Sequence, residues 1–204
     1  MNKFELAKFI VARYPGEVSP LKLQKLLYYC YVWQLVAKNK LFEAEFGAWD
    51  YGPVEREIYD AYKKFGKTPI PTLNGTSKNH NELVNYPLIE FILDSYSVYS
   101  AIELSQTTHA EKPWKKYKNT RKIIPDKELI SFYSREVFAK NFPLGHVSKY
   151  YPPKTSSHYS FTFDMEEEYV PEYKSLEEYL TSFSKENERL DKLIVKLNSN
   201  VLEN

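Results

Sequence analysis

The stretch from Ser19 to Gly66 constrains the chain more than any other. Ser19-Pro20 is a helix start, because a serine hydroxyl can cap free amides and proline's missing N–H costs nothing in a first turn. Leu23, Leu26, Leu27, Cys30, Trp33, Gln34 and Ala37 then recur at i, i+3 and i+4, the spacing of one buried helical face. Lys22, Lys25, Tyr29 and Lys38 fall largely outside that face. Residues 41–51 are aromatic and lack helical periodicity, so they read as a connector holding one or two short extended pieces. Gly52-Pro53 reads as the start of a second helix, with Val54, Ile58, Ala61, Tyr62 and Phe65 on its apolar stripe and Gly66 as its stop. Local physics therefore predicts a helical hairpin with a tight aromatic connector.

Around this unit the pattern is mainly α. Residues 3–14 form an amphipathic helix with Phe4, Ala7, Ile10, Val11 and Tyr14 inward, ended by Tyr14-Pro15-Gly16. Residues 67–81 are rich in Pro, Asn, Thr and Ser and read as a long loop. A helix begins near Pro87, with Ile89, Ile92, Leu93, Tyr96 and Tyr99 on its face and Ile102 continuing that face after a break. Lys112, Lys115, Lys116, Lys118, Arg121 and Lys122 make a basic loop interleaved with Trp114 and Tyr117. Pro125 opens a further helix with Leu129, Ile130, Tyr133, Val137 and Phe138 inward.

The last sixty or so residues differ in composition. Tyr159, Phe161 and Phe163 alternate with polar residues as in a short strand, and an acidic run follows at Asp164, Glu166, Glu167 and Glu168. Ser175-Leu176-Glu177-Glu178 is a capping box. The helix it opens over 175–201 carries Leu176, Leu180, Phe183, Asn187, Leu190, Ile194, Leu197 and Val201 at gaps alternating four and three. In that heptad register Leu176, Phe183, Leu190 and Leu197 take d, and Leu180, Asn187, Ile194 and Val201 take a, the preference of a parallel two-stranded coil.

Composition narrows the function classes. A formal net charge of +1 argues against a general nucleic-acid binder, although a local basic patch remains compatible with it. The single cysteine, Cys30, forbids an intrachain disulfide and reads as a buried structural thiol. No signal peptide and no membrane-length apolar run is read, so a cytoplasmic setting is expected. There is no P-loop, GxGxxG, GxSxG, HExxH or CxxC, and no metal or other cofactor is expected. Eighteen tyrosines suit an interaction surface as well as a core.

Three sets of words carry more than their periodicity. They are Lys22-Leu23-Gln24-Lys25-Leu26-Leu27-Tyr28-Tyr29; Ala48-Trp49-Asp50-Tyr51-Gly52-Pro53-Val54; and Leu104-Ser105-Gln106-Thr107-Thr108-His109-Ala110-Glu111-Lys112-Pro113-Trp114. In this order and spacing, with Tyr59 and Lys63-Lys64-Phe65-Gly66 between the second and third, the chain resembles the Panacea domain. That is the SocA-like antitoxin family of bacterial and phage toxin–antitoxin pairs. The resemblance covers roughly residues 3–140. It implies a compact helical domain over 1–142 with a short extended element, leaving 143–204 as a C-terminal extension. It implies a non-enzymatic antitoxin that binds and suppresses a cognate toxin. Lys22, Gln24, Lys25, Tyr29, Trp49, Tyr51, Gly52, Pro53, His109, Pro113 and Trp114 are the signature positions, serving either the fold or toxin contact. Delivery of a toxin to a cytoplasmic protease and nucleic-acid-binding regulation are the rival readings.

Several residues carry two readings. His109 and Glu111 form either a metal or acid–base pair, or a turn that closes a helix end by hydrogen bonds; the second is favoured. Gln24 and Tyr29 suit a buried polar network, and Lys25 and Asp50 suit an ion pair. Trp49 and Trp114 read as core plugs. The basic loop is a solvated segment, a contact for acidic protein, or a single-stranded nucleic-acid site, in that order. The 175–201 stripe folds back on its own domain, forms a homodimer, or lies in a groove of the toxin.

Overall fold

The computed structural model describes residues 1–72, 87–118 and 120–142, together with Thr181 and Lys185. Ser19 accepts a hydrogen bond from the Lys22 amide, Pro20 lies in the first turn, and the helix that follows, α2, runs Pro20–Val36. It is the axis of a mainly α fold. Around it are α1 (Lys3–Arg13), α3 (Arg56–Tyr62), α4 (Pro87–Tyr96), α5 (Ala101–Ala110), α6 (Lys112–Tyr117) and α7 (Asp126–Tyr133). Two short strands, β1 (Phe46–Trp49) and β2 (Gly52–Glu55), pair antiparallel with Phe46 opposite Glu55 and Trp49 opposite Gly52.

Every residue of α2 from Lys22 to Gln34 is buried. This corrects the single-face reading, which left Lys22, Lys25 and Tyr29 outside. Helices α1, α4, α5 and α7 and strand β2 surround α2, so no side of its middle reaches water. A helix enclosed in this way must give each polar side chain a partner. Gln34 illustrates the solution. Its Nε2 donates to the Phe42 carbonyl at 2.7 Å, and its Oε1 accepts from the Leu41 and Phe42 amides at 2.7 and 3.1 Å, fixing the turn after α2. Trp33 Nε1 donates to the Tyr96 hydroxyl at 2.8 Å, and Tyr29 stacks on Tyr96 with ring centroids 4.0 Å apart. Many tyrosines are thus core residues with satisfied hydroxyls, not surface.

Gly52-Pro53 begins a strand, not a helix. Proline's fixed φ and missing amide suit a first helical turn and a short edge strand alike, and here the pairing of Ala48 with Pro53 decides. Helix α3 starts only at Arg56, where the Glu55 side chain accepts from the Ile58 amide at 2.8 Å. Ile58 alone in α3 is buried; Ala61 is exposed. The free edge of β1 takes residues 122–124: the Ala48 amide donates to the Lys122 carbonyl at 3.0 Å and the Ile124 amide to the Phe46 carbonyl at 2.9 Å.

Helix α4 starts at Pro87 and buries Ile89, Ile92, Leu93 and Tyr96 as their spacing predicts. Four further inward assignments fail. Phe4, Ile102, Ile130 and Val137 are exposed, because their helices are covered on a narrower stripe than the periodicity allows. The basic stretch is not wholly a loop, since Lys112–Tyr117 is helical. Leu129, Tyr133, Phe138 and Phe142 close the core. Most of the loop at 67–81, the strand near 159–163 and the heptad stripe lie outside the described residues. Thr181 and Lys185 are helical and exposed, and neither belongs to the stripe. Among the described residues no helix is long and apolar enough to cross a membrane.

Candidate functional site

The hairpin turn, the polar side of α2 and the α5–α6 junction converge. Gln24 Nε2 donates to the Glu55 carbonyl at 3.1 Å, and its Oε1 accepts from the Glu55 amide at 2.8 Å. The next residue, the fully buried Lys25, donates from Nζ to the Pro53 carbonyl at 2.9 Å. Gly52 has φ +98°, and a Cβ there would stand 2.5 Å from both Lys25 Nζ and Thr108 Oγ1. Glycine is therefore required twice, by the turn and by the close approach.

Beneath this turn lies the carboxylate of Glu111, the C-cap of α5. Tyr29 donates to Oε1 at 3.1 Å and Tyr133 to Oε2 at 2.5 Å, while the Tyr133 and Tyr28 hydroxyls are 3.2 Å apart. Burial pushes the Glu111 carboxyl up to about 8, against the two tyrosine bonds that favour its ionised form. Burial pushes the Lys25 ammonium down to about 7, with the Glu111 charge opposing. Both groups shift toward neutrality, as desolvation requires. His109 is held below its usual range by burial and then by Lys25, with hydrogen bonding to the Asp50 backbone acting the other way. Its Nε2 is buried and has no hydrogen-bond partner among the described residues.

Above the turn lies an aromatic surface. The His109 ring stacks on Trp114 with centroids 4.1 Å apart, and Trp114 Nε1 donates to the Trp49 carbonyl at 2.8 Å. Trp49 is half-buried, and Tyr59, Arg56 and Arg121 lie against its ring. Tyr51, at the hairpin tip, is exposed, and Pro113 is buried under the α5–α6 corner.

The sequence pattern placed Gln24 and Tyr29 in a polar network, and both are there. Two readings differ, the pairing of Lys25 with Asp50 and the burial of Trp49. Lys25 bonds a carbonyl instead of Asp50, which is exposed. The favoured reading of His109 and Glu111 as a turn closing a helix end agrees with the Glu111 amide, which donates to the Thr108 carbonyl at 3.3 Å as the C-cap of α5, while the two side chains are not hydrogen-bonded to one another. Trp49 is half-buried and lies outside the core cluster, whereas Trp114 is partly buried and packs against the core. Lys22 is buried at the start of α2, and its pKa is lowered by burial. The basic residues Lys112, Lys115, Lys116, Lys118, Arg121 and Lys122 are all exposed. Lys116 pairs with Glu128 beside a cleft of about 670 Å³ between α6 and α7, whereas Arg121 lies over Trp49. Tyr28 and Thr108 lie within the signature words without being singled out there, and Arg56 carried no sequence signal; Tyr133 was legible only as an inward residue.

Chemically, the interior can hold protons and fix the turn. No group of three or more His, Cys, Asp or Glu among the described residues could hold a metal ion. Cys30 is buried, and burial pushes its thiol far up, away from nucleophilic range.

Residues 23–115 match the family model described as Antitoxin SocA-like, Panacea domain. The match starts on α2 and ends on α6, so it contains the hairpin, Lys25, Gly52, His109, Glu111 and Trp114. The Panacea resemblance thus covers the internal polar network almost whole, apart from Tyr133, together with the aromatic surface as far as Trp114. Arg121 and Tyr133 lie past its end. No curated protein and no solved structure gives a significant match.

Proposed function

We propose that this protein is an antitoxin that neutralises a cognate toxin protein by binding it directly, in the cytoplasm and without catalysis or a cofactor. The observation that carries this reading is the Panacea match over residues 23–115. A division of labour fits this reading. Gln24 and Lys25 hold the hairpin on α2, and Tyr29 ties α2 to Glu111 at the α5–α6 junction, which supports a scaffolding role for these signature positions. Partner choice then falls to what the scaffold displays: the hairpin surface and the stretch after residue 142.

The test is co-expression with the adjacent gene in a bacterial host. Growth arrest by the neighbour alone, and its relief together with a co-purifying complex, supports direct neutralisation. A toxic neighbour that this protein neither binds nor relieves overturns it. Relief accompanied by accelerated loss of the toxin, seen by pulse-chase, replaces blocking with protease delivery.

A further inference from the structure

We propose that the outer surface of the β1–β2 hairpin docks an acidic segment of the partner protein, with Arg121 as its principal anchor. This rests on the antitoxin reading for the partner's identity and deepens it by naming the chemistry that the surface recognises.

The Arg121 guanidinium carbon lies 5.1 Å from the Trp49 ring centroid and that of Arg56 lies 5.7 Å from it, with the Tyr59 ring at 5.0 Å. A guanidinium held on indole keeps its N–H edge free for a carboxylate, which it binds through two parallel hydrogen bonds. Arg56 donates Nε to Asp60. Arg121 has no hydrogen bond from its side chain and no ion pair among the described residues, and neither do its exposed neighbours Lys118 and Lys122. The local carboxylates do not cancel this charge: Asp60 is shared between Arg56 and Lys63, leaving Asp50 at the turn.

The placement is built into the backbone. Arg121 has φ +55°, the left-handed region, which costs a non-glycine residue about 1–2 kcal/mol. Gly47 supplies the room: a Cβ there would stand 3.0 Å from Trp49 Nε1 and 3.1 Å from the Arg121 carbonyl. The left-handed turn delivers residues 122–124 to the edge of β1 and leaves the exposed Arg121 side chain, unpaired among the described residues, against the half-buried Trp49.

Nucleic acid fits less well. Stacking a base needs a bare aromatic face. Trp49 is covered by Arg56, Arg121 and Tyr59, and Trp114 by His109, so of the hairpin's rings Tyr51 at the tip offers a bare face, one platform where a bound strand needs successive ones.

The experiment uses the full chain and a fluorescein-labelled oligoglutamate peptide at low salt, read by anisotropy, so it needs no toxin. The wild type is expected to bind. Arg121→Gly removes the cation and relieves the left-handed strain, so it folds at least as well, as circular dichroism will show. It should weaken binding about tenfold or more. Arg121→Lys should recover part of the loss, and Lys8→Gln on the exposed side of α1 should change nothing. Absence of peptide binding, equal binding by wild type and Arg121→Gly, or an equal loss in Lys8→Gln overturns the proposal. Tighter binding of oligothymidylate than of the peptide overturns it in favour of nucleic acid. A harmless neighbouring gene would remove the antitoxin reading and leave this measurement intact.

Discussion

The Lys25 ammonium lies 2.5 Å from the point that a Cβ on Gly52 would occupy. That approach joins the central helix to the hairpin turn, because the same ammonium donates to the next residue's carbonyl, that of Pro53. Thr108 Oγ1 on α5 closes the space from the other side. Gly52→Ala must therefore strain a backbone at φ +98° and displace two buried polar groups. The expected cost is about 2 kcal/mol or more. It should appear as a lower urea midpoint at an unchanged slope. A midpoint equal to wild type would mean that the turn relaxes freely.

The two shifted groups beside Gly52 predict an unusual pH profile. Glu111 has its carboxyl raised to about 8 from an ordinary value of 4.5. Between those values the folded chain keeps a proton that the unfolded chain has lost, so stability falls as pH rises through the window. Lys25 is lowered to about 7 from 10.5, and between those values the unfolded chain binds more protons, so stability rises with pH. Together they place a stability minimum near neutrality, with limbs no steeper than about 1.4 kcal/mol per pH unit. Melting temperature against pH checks it. Glu111→Gln should abolish the descending limb on the acid side. A variant that keeps that limb would assign it to another group.

Gln24 carries a second internal prediction. It exchanges two hydrogen bonds with the Glu55 backbone. The Glu55 carboxylate in turn takes Lys3 and caps α3. Gln24→Leu keeps the bulk but orphans a buried amide and a buried carbonyl. The expected loss is about 2–6 kcal/mol, at roughly 1–3 for each unpaired group, measured by denaturant unfolding. A loss below half a kilocalorie or so would show that water or the backbone refills the site.

Which of these relationships the sequence could announce depends on the residue. Ser19-Pro20 and the i, i+3, i+4 run after it are local rules, and α2 obeys them. Pro87 and the face of α4 are equally local. Lys25 is different. Periodicity puts it off the apolar stripe and charge predicts solvent, yet surrounding helices bury it and a carbonyl from β2 receives it. Gly52-Pro53 failed as a helix start because the same two residues serve a strand, and only pairing with β1 distinguishes the two. Glu111 was legible as part of a motif, but its partners Tyr29 and Tyr133 come from two other helices. Arg121 read as one more lysine-like charge, because no residue type advertises a left-handed arginine set on a tryptophan.

Trp49 shows how such a difference changes a prediction. As a core plug, its loss would cost about 3–5 kcal/mol and unfold the domain. In the structure the indole is half-buried, and the bond that holds it in place, from Trp114 Nε1, goes to its backbone carbonyl, which alanine retains. Trp49→Ala should therefore fold, at a cost of about 1–3 kcal/mol, and should lose partner binding with the cation platform. Melting temperature and toxin neutralisation measured on the same preparation separate the two. Cooperative unfolding at growth temperature would restore the core reading.

The C-terminal stripe yields the last prediction, from pattern alone. Leu176, Leu180, Phe183, Asn187, Leu190, Ile194 and Leu197 keep gaps of four and three without a break, so one seam is apolar except at Asn187. A single asparagine at an a position sets register between helices at some cost in stability. Leu190→Asp or Ile194→Asp puts a charge in that seam, where an unpaired carboxylate is strongly disfavoured. The core of residues 1–142 contains neither residue and should melt as in wild type. The expected loss is in toxin binding or in self-association, read as solution mass by light scattering and as growth rescue. If both readouts match wild type, the seam packs against nothing that matters to function. If mass alone falls, the stripe is a dimer seam, and recognition belongs to the hairpin surface with Arg121.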